Sequence, residues 1–326
     1  MVNNLAIHNN SKGTRFSSSP PNLNNTIRGF NDTEVYRNFT GPRTIVQLLA
    51  TAAGSSGEIL SIHPPANHSE FDLRFDGPYI RCNKPNASAV VLIDDLLSQR
   101  MDTLQGSLKE ITSSYYSFVP GFEVLPDGTR KVVALDKPRP QMPVNATNEL
   151  FITFLRATKD EIGNVTSVER HYSACRLFNV TFDITLQFDR GIQSIRNNSI
   201  TFHGNDPVPY GDPHPTGMGA QAYGSVFWAI ADGIVGSMSL SLDTATETKL
   251  GFIDTRLSHT ALLGSDDLDY FFWLNQRNIY PIDTNYLLGK QRLQDKALAR
   301  NRTLDILLEE LSFNVTVSLL HNTELT

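Results

Sequence analysis

The chain is short of charge and of cysteine, and each shortage narrows what it can do. Charged residues make up 19 % of its 326 positions, below the usual figure of about 25 %. Surface polarity therefore falls to Asn, Ser and Thr. No run of five Lys or Arg occurs and the net charge is -6, which excludes the clustered basic face that nucleic acid or an anionic membrane surface requires. Only two cysteines are present, Cys82 and Cys175, with no C-x-x-C, so neither a zinc ribbon nor a dithiol redox motif is indicated. A P-loop, a G-x-G-x-x-G and an H-E-x-x-H are all absent, and no cofactor is expected. Residues 1–30 hold no apolar core of the length a signal peptide needs. The best candidate span, Ala222 to Leu242, carries Asp232 at its middle. A charge there costs about 2.5–3.5 kcal/mol on insertion, so the stretch reads as a buried core helix.

What the chain has in excess is N-x-[ST]. Twelve such sequons start at Asn9, Asn24, Asn31, Asn38, Asn67, Asn86, Asn145, Asn164, Asn179, Asn197, Asn301 and Asn314. With 25 Asn, and Ser plus Thr at 53 positions, chance supplies about four. The excess points to passage through the secretory lumen and to N-glycosylation. In an oxidising compartment the two cysteines have one intramolecular pairing, closing a loop of 175 − 82 = 93 residues. A glycoprotein needs an insertion signal, so either Met1 is an internal methionine of a longer product, which is the expectation, or the sequons are decoys.

Residues 1–40, rich in Asn, Ser and Pro and carrying four sequons, read as a flexible glycosylated lead-in, and 41–326 as one extracytoplasmic domain. Helical spacing begins at Thr44 and is expected to stop at Gly54. Alternation predicts a strand over Phe71–Phe75, and Val90 to Tyr116 reads mostly as helix. Phe122–Leu125 and Lys131–Leu135, joined through Pro126-Asp127-Gly128, read as a hairpin. In Phe178 to Phe188 every even residue is apolar and every odd one polar, which predicts a strand with one buried and one wet face. Ile192 to Thr201 is its expected return strand. Helices are expected at about 221–238 and 287–298, and from Thr303 to Leu320 on the stripe Leu304, Leu307, Leu308, Leu311, Val315 and Leu319. The class is α+β: an antiparallel sheet core with flanking helices and a helix-rich C-terminal third.

Three segments offer candidate chemistry, and each has a plainer structural account. Ser55 in Ala53-Gly54-Ser55-Ser56-Gly57 has nucleophile-elbow spacing, but a helix precedes it where the elbow needs a strand. His203, Asp206, Asp212 and His214 share one Pro/Gly loop and supply donors suited to a metal, at a spacing of no established ligand set. Asp266, Asp267 and Asp269 precede Tyr270 to Leu274. The acids suit a helix start, and Tyr270 with Trp273 suit a sugar platform.

The stretch Cys175-Arg176-Leu177-Phe178-Asn179-Val180-Thr181, with its continuation to Ile195, and the stretch Leu308 to Leu320 together resemble the large ectodomain of a family of uncharacterised multi-pass membrane proteins of filamentous fungi. The resemblance covers about 165–326 and carries no catalytic residues. It implies an extracellular, membrane-associated domain, with membrane segments flanking a chain that contains none itself. The expected function is non-enzymatic: binding, sensing or cell-wall contact, with an unknown extracellular ligand or wall component as partner. The alternative is a secreted or tethered hydrolase, which needs a concave site where titratable groups converge.

Overall fold

A computed structural model describes residues 41–62, 67–105, 111–139, 146–160, 165–204, 218–243, 247–268, 298–299 and 301–321. Its centre is an eight-stranded antiparallel sheet. The strands are β1 (His68–Asn83), β2 (Ile111–Val124), β3 (Arg130–Leu135), β4 (Glu149–Lys159), β5 (Val165–Asp189), β6 (Ile192–Phe202), β7 (Gly236–Asp243) and β8 (Glu247–Thr255). They run β1-β5-β4-β2-β7-β8, with β3 on β2 and β6 on β5. The helices are α1 (Thr44–Ser56), α2 (Ala87–Gln105), α3 (Met218–Ala231) and α4 (Leu304–Ser318).

Strand β5 organises the sheet. Its 25 residues pair with β4 through the first half and with β1 through the second, and β6 takes over from β4 beyond Val180. Neighbouring residues of a strand point to opposite faces, and the core divides accordingly. Tyr115, Leu150, Ile152, Cys175 and Leu177 pack with α1, α3 and α4. Their neighbours Tyr116, Phe151 and Ala174 pack with Ile93, Leu96 and Leu97 of α2. A third cluster joins Phe71, Leu73 and Phe75 to the even residues Phe178 to Phe188. The expected alternation of β5 is thus present, with all six even side chains buried.

The polar face departs from expectation. Thr181 and Thr185 are buried, because flanking side chains fold over them. Asp76 Oδ1 accepts from Thr181 Oγ1 at 2.5 Å, and Asp72 Oδ1 accepts from Thr185 Oγ1 at 2.7 Å. Asn198 donates to Thr185 Oγ1 at 2.9 Å. Polar residues satisfied in this way tolerate burial.

Helix α4 sits against the outer edge of β1. Its apolar stripe, from Leu304 to Leu319, enters the first core as expected, while Phe313, Val317 and Leu320 reach the third. Between these two faces, at helical spacing, stand Glu309, Ser312 and Thr316. Ile80 N donates to Ser312 Oγ at 2.8 Å, Cys82 N donates to Glu309 Oε1 at 2.9 Å, and Thr316 Oγ1 donates to the Pro78 carbonyl at 2.8 Å. Side chains of a helix thereby satisfy backbone groups that a further strand would otherwise take. Pro78 fits an edge strand, because it has no N–H to offer. At Gly77 a Cβ would lie 2.9 Å from Thr316 Cγ2 and 3.0 Å from Phe182 Cε2, so glycine permits the helix to approach.

Several boundaries are corrected. Helix α1 runs past Gly54 to Ser56 and is capped by Gly57 in the left-handed region, φ 68°. The expected helix over 90–116 ends earlier, and Ile111 to Tyr116 belong to β2, as their β-branched and aromatic content favours. The stretch Ala222–Leu242 is not one helix. It divides after Ala231, where Asp232 pairs with Arg256, and re-enters as β7 at Gly236. A Cβ on Gly236 would lie 1.7 Å from the Asp254 carbonyl oxygen, which makes the glycine a steric requirement of the β7–β8 pairing. Among the described residues, no helix is long and apolar enough to cross a membrane. The lead-in over 1–40 lies outside the described residues, as does all but the last residue of the helix expected at 287–298.

Candidate functional site

Between α2 and the β2–β3 hairpin lies a cleft of about 220 Å³. Leu96, Val132, Val133 and Ala134 supply its apolar wall, and Gln99, Arg100, Lys131, Asp136 and Tyr116 its polar groups. Their positions follow from local structure. Leu96 and Arg100 are four apart on α2 and so share a face. Arg100 reaches two carboxylates, Asp254 at 2.6 Å and Asp136 at 3.5 Å. Tyr116 donates its hydroxyl to Asp136 Oδ2 at 3.2 Å, and burial, reinforced by the Asp136 charge, holds that phenol protonated far above its usual range. Arg100 and Asp136 are 12 % and 13 % exposed, a depth at which the pairing is screened less than on the surface. The result is a small concavity in which the deep cation is already paired with carboxylates.

A second titratable cluster surrounds the disulfide. Cys82 and Cys175 are directly opposed across β1 and β5 and are bonded, with a Cα separation of 3.9 Å. Cys175 is buried and Cys82 half-buried. A carboxylate oxygen of Asp305, in the first turn of α4, and both sulfurs lie within 4.8 Å of one another. The sulfurs are bonded to each other, so this trio offers no thiolate to a metal. Asp305 Oδ2 accepts from Ser173 Oγ at 2.9 Å, while Oδ1 is buried without a hydrogen-bond partner among the described residues. Burial pushes the Asp305 carboxyl above its ordinary range, and Asp267 adds to this. Ser173, Arg156 and His171 pull the other way. Asp267 is itself buried, paired with Arg156, and accepts from Leu304 N at 2.8 Å at the start of α4. His171 stacks on Phe154 with centroids 5.8 Å apart, and burial followed by the nearby Arg156 lowers its basicity.

The residues singled out in the sequence fare variously. The disulfide is formed. Ser55 is exposed near the end of α1 and donates to the His259 carbonyl at 2.9 Å; it lies within a helix and not at a strand-to-helix turn. Of the suggested metal set, His203 meets Thr181 Oγ1 at 2.6 Å and Asp76 at 3.2 Å, whereas Asp206, Asp212 and His214 lie outside the described residues. So do Tyr270 and Trp273. Asp266 and Asp267 open a short 3₁₀ turn, and it is α4 that Asp267 caps. Among the sequons, Asn67, Asn86, Asn197 and Asn301 are exposed. Asn179 and Asn314 are half-buried: Asn179 Oδ1 accepts from Tyr223 at 2.8 Å, and Asn314 Nδ2 donates to the Gly57 carbonyl at 3.2 Å. Asn9, Asn24, Asn31, Asn38, Asn145 and Asn164 lie outside the described residues. Sequence reasoning missed the Arg100, Asp136 and Asp254 group and, separately, Asp305 beside the disulfide, because each is assembled by packing helices on strands far apart in sequence; the only local signal was an arginine one turn beyond an apolar helix residue.

No protein-family model, curated protein sequence or solved structure matches this chain.

Proposed function

We propose that the chain is a non-enzymatic extracellular domain of a membrane protein, and that it binds a neutral, polyhydroxylated unit of a cell-wall or surface glycan in the cleft between α2 and β3. The observation that carries this reading is that Arg100, the deep cation of the cleft, is already engaged by Asp136 of the lining and by Asp254 behind it, beside an apolar wall. A neutral ligand with hydroxyls can exchange hydrogen bonds with such a network, while its ring covers the apolar wall of Leu96, Val132 and Ala134. An anion would compete with two carboxylates for Arg100, and a cation would be opposed by Arg100 and Lys131. The extracellular setting is supported by the Cys82–Cys175 bond, by sequon asparagines at the surface, and by the resemblance over 165–326 to fungal membrane-protein ectodomains. A cleft this small suits one terminal sugar unit, and an affinity near 1 mM, about −4 kcal/mol, is the expected scale.

The test is a titration of the isotopically labelled chain with glucose, mannose and N-acetylglucosamine, followed by two-dimensional NMR. The expected result is saturable shifts at Gln99, Lys131 and Ala134 with one of the sugars, abolished in Asp136→Ala. Absence of saturable shifts, or shifts confined to other faces, rejects the reading. For the setting, glycosidase treatment of the chain from its native source should raise its mobility; an unmodified chain with reduced cysteines counts against it.

A further inference from the structure

The disulfide is usually the inert part of a secreted domain, and here a carboxyl group stands beside it. Three observations combine. The two sulfurs differ in access: Cys175 is buried, and Cys82, on the edge strand β1, is half-buried. Displacement at a disulfide goes through attack on one sulfur and departure of the other as a thiolate, and it is faster when the departing thiolate is stabilised. Here the sulfur that must depart is the buried one, where an unprotonated thiolate is costly. Next to it stands Asp305, within 4.8 Å of both sulfurs and with Oδ1 free of any hydrogen bond among the described residues. That distance is spanned by one rotamer adjustment or one water, within reach of proton transfer.

We propose that Cys82–Cys175 is an exchange-competent disulfide, at which an external dithiol attacks Cys82 Sγ while the Asp305 carboxyl delivers its proton to the departing Cys175 sulfur. The first step forms a bond between the incoming thiolate and Cys82 Sγ and breaks the Cys82–Cys175 bond; Cys175 leaves with the electron pair and becomes a thiol. The second thiol of the reagent then attacks the reagent's own sulfur in the mixed disulfide, releasing Cys82, which takes a proton from water. The dithiol is oxidised to its cyclic disulfide, the protein gains two thiols, and Asp305 is reprotonated from solvent. Other groups facing Asp305 set when it holds its proton. Asp267 on the 3₁₀ turn favours the protonated form, while Ser173 and His171 on β5 and Arg156 on β4 favour the ionised one. Glu309, four residues along α4, is engaged by the Cys82 amide.

The inference goes beyond sugar binding and is independent of it. The experiment is reduction of the folded full chain by dithiothreitol across a pH series, quenched with acid and read by alkylation and mass. Asparagine at 305 keeps the shape but cannot supply the proton. At about pH 5 the wild type should be reduced at least about tenfold faster than Asp305→Asn, the low end of general-acid effects. At about pH 9 the order should reverse, because an ionised Asp305 repels both the incoming and the departing thiolate. Ser173→Ala removes a bond that favours ionised Asp305, and should move the crossover to higher pH. A wild-type to Asp305→Asn ratio that is constant with pH overturns the proposal. So does a crossover that Ser173→Ala leaves in place, or a rate independent of dithiothreitol concentration and equal to the rate of global unfolding.

Discussion

Ser312 Oγ accepts the amide proton of Ile80 at 2.8 Å, so a helix side chain completes the hydrogen bonding of a strand that, among the described residues, has no other strand beyond it. Replacing Ser312 with Ala leaves that N–H buried and unpaired, at a cost of about 1–3 kcal/mol. Gln187→Ala, at an exposed residue of β5, is the control and should change stability by less than about 0.5 kcal/mol. Urea melts of the two variants decide: equal midpoints mean that the edge of β1 does not depend on α4.

The polar face of β5 offers a sharper contrast. Phe182→Ala should cost about 3–5 kcal/mol, as for other buried aromatics. Thr185 accepts from Asn198 and donates to Asp72, so Thr185→Ala should cost about 1–2 kcal/mol, while exposed Gln187 should be neutral on truncation. A Thr185→Ala variant as stable as Gln187→Ala would mean that water replaces those bonds without loss.

Asp305 and Asp232 both have carboxyls raised above the ordinary 3.8, with burial the largest cause. A raised native value favours the protonated form, so each group's contribution to stability is complete below the unfolded value and is lost as pH rises through the folded one. The wild type should therefore lose stability relative to Asp305→Asn as the pH rises from about 4. The measurement is the difference in urea midpoint as a function of pH. A flat difference, or one of opposite slope, contradicts the assignment.

On passage through the secretory lumen, Asn67, Asn86, Asn197 and Asn301 should be glycosylated and Asn314 should not. The Asn314 nitrogen that would carry the sugar is bonded to Gly57, and the hydroxyl of its sequon partner Thr316 is buried against Pro78. Glycopeptide mapping reads each site separately, and an occupied Asn314 would show that α4 forms only after modification, or forms differently.

Much of this fold is written in local pattern. The β5 alternation, the stripe of α4 and the Arg190-Gly191 turn, with φ 52° and 79°, are each properties of neighbouring residues. What could not be read is what pairing across distance creates. Thr185 looked solvent-facing because nothing near it in sequence reveals Asp72 and Asn198. Ser312 and Thr316 looked like tolerated polar residues of a helix, since their function is defined by the edge of a strand more than 230 positions away. The cysteines showed no redox motif because Asp305 is supplied by another element.

The pairing of β1 with β5 has a further consequence for biosynthesis. Cys82 meets Cys175 across a separation of 93 residues, and His68 meets Asp189, so β1 must wait for nearly all of β5 before it has a partner. At synthesis rates of about 5–20 residues per second, that wait is roughly 5–20 s. During it Phe71, Leu73 and Phe75 have no sheet to enter, and Cys82 is an unpaired thiol on a nascent chain. The final seal, α4, comes more than a hundred residues later still. Until then, the outer edge of β1 is open to any other strand that reaches it.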